Sequence, residues 1–247
     1  MNKLICSVLA CASFFPLTGH STPLGDDYSL SGSLGVYSEY RSRGLSQTLG
    51  DPAAQATATL LHNDTGLYAG AWTSNVDFGY DLKTRQELDY YAGWFYPIND
   101  NVSLDTGYVK YTYPKESRLN MSEWYSMLTV YGFKAALYYS SDAAIGGREE
   151  QSTLYSYVGY AAQLPYETGL EVRYGVNDYK DSVWVDNSGS GRDSYREWEV
   201  RLTRTMLGLE WTASYVDTDL SKAECLDYSG FDDLCSATLV VGASKKF

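Results

Sequence analysis

The chain has 247 residues, with 31 acidic against 19 basic side chains and a formal net charge of −12. That balance argues against nucleic acid as a partner, because phosphate binding requires basic patches. Its length suits one large domain rather than two, and no apolar run beyond the N-terminal region approaches the roughly eighteen residues of a membrane helix, so any membrane crossing has to be made by strands.

At the start of the chain, Lys3 precedes the apolar run LICSVLACASFFPL, too short for a spanning helix, and residues 1–21 read as a secretory signal peptide. Residues 22–247 then form the mature domain. Losing the signal removes Cys6 and Cys11 and leaves Cys225 and Cys235 as the pair in an exported chain. In an oxidising compartment they are expected to form a local disulfide. His62 is the histidine that remains, far from both cysteines in sequence, so no metal site and no cofactor are expected.

From residue 29 onward, apolar and polar residues alternate in segments of about ten, the pattern of strands with two unlike faces. In 29–41, Leu30, Leu34, Val36 and Tyr40 face one way, and Ser31, Ser33, Glu39 and Arg41 the other. Further strands are expected over 53–62, 67–76, 86–96, 102–112, 121–130, 133–141, 152–163, 168–177, 195–204, 209–217 and 236–247, making twelve. In 168–177, Leu170, Val172, Tyr174 and Val176 oppose Glu171 and Arg173; in 195–204, Trp198, Val200 and Leu202 oppose Glu197, Glu199 and Arg201.

Tight turns at 63–66, 97–101, 131–132, 164–167 and 206–208 alternate with longer polar excursions at 42–52, 77–85, 113–120, 142–151, 178–194 and 218–235. Short turns gather at one end of the sheet and long loops at the other, the asymmetry of outer-membrane barrels with brief periplasmic turns and long extracellular loops. Tyr28, Tyr40, Trp94, Tyr96, Tyr111, Tyr113, Trp124, Tyr138 and Tyr139 lie at strand ends, as rings at the headgroup level of a bilayer would. The expected fold is all-β: a transmembrane antiparallel up-and-down barrel of about twelve strands. Such a closed meander leaves no unpaired edge in lipid. Phe247, on the apolar parity of the last strand, resembles the C-terminal aromatic signature of outer-membrane proteins, which implies recognition by the barrel assembly machinery.

The stretches SEYRSRGLSQTLGDPA (38–53), GLYAGAWTSNVDFG (66–79), ELDYYAGW (87–94) and GYVKYTYP (107–114) resemble the TorF family of porin-like proteins, a bacterial outer-membrane family of unknown function. Beyond Pro114 the likeness is architectural. The resemblance implies an outer-membrane barrel with pore activity and brings no substrate or catalytic residues with it.

On the polar parity, Glu39, Glu87, Asp89, Asp105, Glu123, Glu171, Glu197, Glu199 and Glu210 face inward with Arg41, Arg43, Lys134, Arg173 and Arg201. Arg41 and Arg43 are placed to pair with Glu87 and Asp89. These residues are read as pore-lining, their acidic surplus favouring cations. Twelve strands enclose a lumen wider than that of a filled eight-stranded barrel and narrower than an open porin, which inward loops could close. The expected function is passive diffusion of small hydrophilic solutes or ions through the outer membrane, without enzymatic activity. The alternatives are a structural or surface-binding barrel, whose acidic loops 177–193 and 217–233 would be solvated or bind calcium, and a barrel-embedded lipid hydrolase using His62. Solute and oligomeric state stay open.

Overall fold

The computed structural model describes residues 21–79, 82–143 and 150–247. Residues 1–20 of the expected signal peptide, with Cys6 and Cys11, lie outside these, as do parts of the expected loops 77–85 and 142–151. Twelve long strands run in chain order: β1 (Tyr28–Tyr37), β2 (Ala53–His62), β3 (Leu67–Asn75), β4 (Gln86–Asn99), β5 (Val102–Thr112), β6 (Met121–Val130), β7 (Phe133–Ala143), β8 (Gln151–Leu164), β9 (Thr168–Tyr179), β10 (Ser194–Met206), β11 (Leu209–Thr218) and β12 (Thr238–Lys246). Each pairs antiparallel with the next, and β12 pairs with β1 from Gly242 opposite Tyr37 to Lys246 opposite Ser33, so the sheet closes on itself.

The seam ends on Phe247, whose backbone N–H donates to Gly32 O at 3.0 Å while its carbonyl accepts from Gly32 N at 2.9 Å. Beyond it, a three-residue strand, Thr22–Leu24, pairs with Tyr28–Leu30 and continues the edge that β12 leaves.

Alternation along each strand sorts side chains to the two faces. Leu34 and Val36 are 58 % and 63 % exposed on the outside, and Leu137, Val158, Val200 and Leu239 share that face. Trp94, Tyr96, Phe133, Tyr160 and Trp211 are exposed toward the short-turn end, and Trp124, Tyr139 and Tyr215 toward the long-loop end. Lys245 interrupts the apolar parity of β12, but its Nζ reaches back to Gly208 O, 3.0 Å away in a short turn, so its charge lies at the barrel rim.

Tyr40, Tyr111, Tyr113 and Tyr138 do not belong to these outer belts. Tyr40 and Tyr138 are buried inside, Tyr111 donates to Glu123, and Tyr113 packs on Phe78 within the barrel. For Tyr40 the cause is the early end of β1 at Tyr37: parity holds only while the strand runs, and here the chain turns into the lumen. Other interior tyrosines fit because a glycine faces them on the neighbouring strand. Gly93 lies opposite Tyr68, Gly70 opposite Tyr91 and Gly107 opposite Tyr125, and each ring lies over the bare backbone.

Candidate functional site

The barrel interior is the candidate site. Its floor is a lattice of ion pairs on β7 to β12. Arg173 on β9 bridges Glu197 and Glu199 on β10, both at 2.9 Å, and Arg201 on β10 reaches the same Glu199 at 2.5 Å. Register explains the contact: Arg173 lies directly opposite Glu199, and Glu171 opposite Arg201. Lys134 on β7 meets Glu171 at 2.9 Å over β8, where Gly159 and Ala161 stand between them. Near the short-turn end Lys246 pairs with Glu210 at 2.7 Å; Lys246 is an interior cation that the sequence reading missed, although its parity on β12 opposes that of Phe247. Each of these groups is hydrogen-bonded to an opposite charge, the condition under which buried charge is tolerated.

The opposite wall is built differently. Glu87 and Asp89 on β4, Asp105 on β5 and Glu123 on β6 are all nearly fully buried, and tyrosine hydroxyls donate to Glu87, Asp105 and Glu123. Tyr68 donates to Asp105 at 2.5 Å and Tyr40 to Glu87 at 3.4 Å.

Arg41 and Arg43 do not pair with Glu87 and Asp89 as the parity argument expected. After β1 the chain turns inward and forms a small hairpin, Arg41–Ser42 paired with Leu45–Ser46. Its tip is Arg43-Gly44, with φ of 49° and 84°, the doubly left-handed turn that matches strand twist and needs a glycine. The hairpin holds Arg41 against Glu39 at 2.9 Å and carries Arg43 to Glu123 on β6, at 2.6 Å. The Arg43 guanidinium also lies 4.4 Å from the Tyr155 ring centre, a cation–π contact.

Loops 178–194 and 218–235 are folded over the long-loop end rather than simply solvated. Trp184, in a short hairpin of Trp184–Val185 with Gly191–Arg192, is fully buried, with the rings of Tyr228 and Tyr195 centred 4.2 and 5.1 Å away. Helix α1 (Lys222–Ser229) starts with a capping box of Ser221 and Glu224, and the Cys225–Cys235 disulfide ties it to the segment leading into β12. Arg192 joins the two loops through Asp219 at 3.3 Å and Glu224 at 2.7 Å. Asp219 and Glu224 are thus engaged with arginines and the helix cap; among the described residues no three His, Cys, Asp or Glu side chains gather to hold a metal ion.

Below this cover lies a cavity of about 270 Å³ bounded by Arg43, Glu87, Tyr113, Glu123, Tyr195 and Tyr228, among others. A smaller one, about 60 Å³, sits against Glu39, Arg173, Arg201 and Glu210. Outside the twelve long strands, burial pushes the Tyr113 hydroxyl well above its ordinary pKa and that of Tyr228 up to about 12, so these two rings of the larger cavity are neutral hydrogen-bonding groups at neutral pH. His62 lies at the opposite end, its ring edge-on to Tyr28 and its Nδ1 beside Thr65.

A closed antiparallel barrel of twelve strands, apolar outside and charged within, resembles the outer-membrane porins. The chain belongs to the family described as "Bacterial protein of unknown function (Gcw_chp)", whose model matches residues 22–247. No curated protein matches it. Among solved structures it is similar to the NanC porin, with a TM-score of 0.56 and 11 % identity over 88 % of this chain and 100 % of that one. It is also similar to the KdgM porin, with a TM-score of 0.49 and 11 % identity over 88 % of this chain and 99 % of that one. The KdgM porin in complex with disordered oligogalacturonate matches with a TM-score of 0.48 and 9 % identity, over 88 % and 98 % of the two chains. At such identities the likeness concerns the fold alone.

Proposed function

We propose that this chain, after removal of residues 1–21, is an outer-membrane channel that lets small hydrophilic solutes diffuse passively and prefers cations to anions. The reading agrees with the resemblance to the TorF porin-like proteins. What carries it is one observation: the closed barrel turns apolar side chains outward and holds a charged interior in which carboxylates outnumber cations. An acidic lumen raises the local concentration of cations and repels anions, more strongly at low salt, where screening is weak. Pore-lining roles follow for Glu87 and Asp89 on the acidic wall and for the Arg173, Glu197, Glu199 and Arg201 lattice on the other.

The experiment is single-channel recording of refolded protein in a planar bilayer under a potassium chloride gradient. A reversal potential of cation-selective sign is expected, growing as salt is lowered. Anion selectivity would overturn the reading. The buried Trp184 cover favours a second one, a barrel shut at its external mouth that serves as a structural or surface-binding element. Absence of conductance from protein that shows heat-dependent migration, and is therefore folded, would select that reading instead.

A further inference from the structure

Glu87 and Asp89 project from the same face of β4, each 1 % exposed, close enough for each carboxyl to act on the charge of the other. Tyr40 donates to Glu87 at 3.4 Å and Tyr113 stands beside it. Asp89 has no such help: both of its oxygens are buried without a hydrogen-bond partner among the described residues. None of the ion pairs among the described residues includes Glu87 or Asp89; Arg43, which lines the same cavity as Glu87, is held by both oxygens of Glu123. Two adjacent carboxylates shielded from water cannot both stay ionised unless positive charge joins them.

The space for such a charge adjoins the pair. Glu87 forms part of the wall of the 270 Å³ cavity, which also presents the rings of Phe78, Tyr111, Tyr113, Tyr179, Tyr195 and Tyr228 among apolar and polar side chains and the Arg43–Glu123 pair. That combination sorts the cations. Calcium or magnesium would look for six or more oxygens, and among the described residues no three His, Cys, Asp or Glu side chains gather to hold a metal ion. A strongly hydrated alkali ion gains little from ring faces. An alkylammonium ion uses both features, its N–H donors directed at the carboxylates and its methylenes and charge against tyrosine rings. We propose that this cavity binds a small organic ammonium ion of the primary amine or diamine class, held by Glu87 with Asp89 behind it. The proposal deepens the channel reading and rests on it for access to the lumen, but it concerns equilibrium occupancy rather than flow.

The test is calorimetric titration of the refolded full barrel in detergent at neutral pH and low salt, with putrescine as probe. Saturable one-to-one binding is expected, weakened at least tenfold by Glu87→Gln and by Asp89→Asn, and unchanged by Asp64→Asn in an exposed short turn. Tyr228→Leu, which removes a ring from the wall while leaving both carboxyls, is expected to weaken binding as well. Heat-dependent migration of each variant reports that it is folded. No saturable binding to the folded parent protein would overturn the proposal. So would binding that persists in both carboxyl variants, or that an equal concentration of potassium chloride abolishes. Because no current is measured, an absence of conductance in bilayers and an absence of binding are separate results.

Discussion

Arg43 is joined to Glu123 across the barrel, its guanidinium donating to the two carboxylate oxygens at 2.8 and 2.6 Å. Arg43 sits at the tip of the hairpin that follows β1, and Glu123 on β6 is fully buried. One ion pair thus fixes a loop from one wall to the strand facing it. Replacing Arg43 by Met leaves Glu123 uncompensated, and a loss of about 3 kcal/mol is expected, the low end for breaking a buried pair. Urea titration of refolding into lipid vesicles measures it. Arg43→Met with Glu123→Gln should recover much of the loss; a double variant as unstable as the sum of the singles would exclude the coupling.

Gly93 lies under the ring of Tyr68, and a Cβ built there would stand 2.5 Å from the tyrosine Oη and 2.6 Å from Cζ. Gly93→Ala is expected to cost about 1–3 kcal/mol through overpacking, seen as heat-dependent migration lost at a lower temperature. Tyr68→Ala should relieve part of the penalty in the double variant. Equal penalties with and without the Tyr68 ring would show that the contact is not responsible.

The twelve strands were legible because apolar and charged side chains take alternate positions along them. Glu197, Glu199 and Arg201 against Trp198, Val200 and Leu202 leave one solution for which face is the charged interior. The same rule misled where the strand stopped: Tyr40 was counted outward and Arg43 was aimed at the wrong carboxylates, since alternation carries no information once the chain turns at Ser38. The stacking of interior tyrosines on glycines was written in the spacing of Tyr91 and Gly93 on one face of β4, yet the abundance of tyrosine pointed to the membrane belts. The cover was hidden for another reason. Trp184 lies in a stretch rich in aspartate, serine and glycine, which reads as solvated until Arg192 is seen binding Asp219 and Glu224.

Cutting the disulfide should free the cover and spare the barrel. Cys225 and Cys235 are ten residues apart, so replacing both by Ser removes about 2–3 kcal/mol of chain restraint, confined to α1 and the segment after it. Limited proteolysis is expected to become faster within 218–235 while heat-dependent migration stays the same. A barrel that melts as a whole would show instead that the cover is part of the folding unit.

Acid should loosen the outer loop from the opposite side of the cover. Asp186 accepts hydrogen bonds from Ser188 N at 2.7 Å, Ser188 Oγ at 2.6 Å and Ser190 N at 3.0 Å, and these hold its carboxyl below the ordinary aspartate range. A lowered pKa means that the contribution is present above the unfolded value, about 3.9, and is lost as pH falls through the folded one. Protection of the amides at residues 186–190, taken relative to the intrinsic exchange rate at each pH, is therefore expected to fall below about pH 4, and Asp186→Asn to remove that dependence. Protection that stays constant down to about pH 2 in the parent protein would contradict the assignment.

Phe247 allows a structural contribution to be separated from recognition during assembly. In the folded barrel its backbone makes two hydrogen bonds with Gly32, while its side chain is about half exposed on the outer face. Deleting it removes two bonds at the seam, where Thr22–Leu24 still pairs with β1, so a loss of only about 1–3 kcal/mol is expected when refolding is measured in vesicles. If the terminal ring is read by the assembly machinery, insertion in cells should fall far more than that small change implies. Phe247→Ala keeps both backbone bonds and should reproduce the cellular defect alone. Normal insertion of the Phe247→Ala variant would confine the residue to closing the sheet.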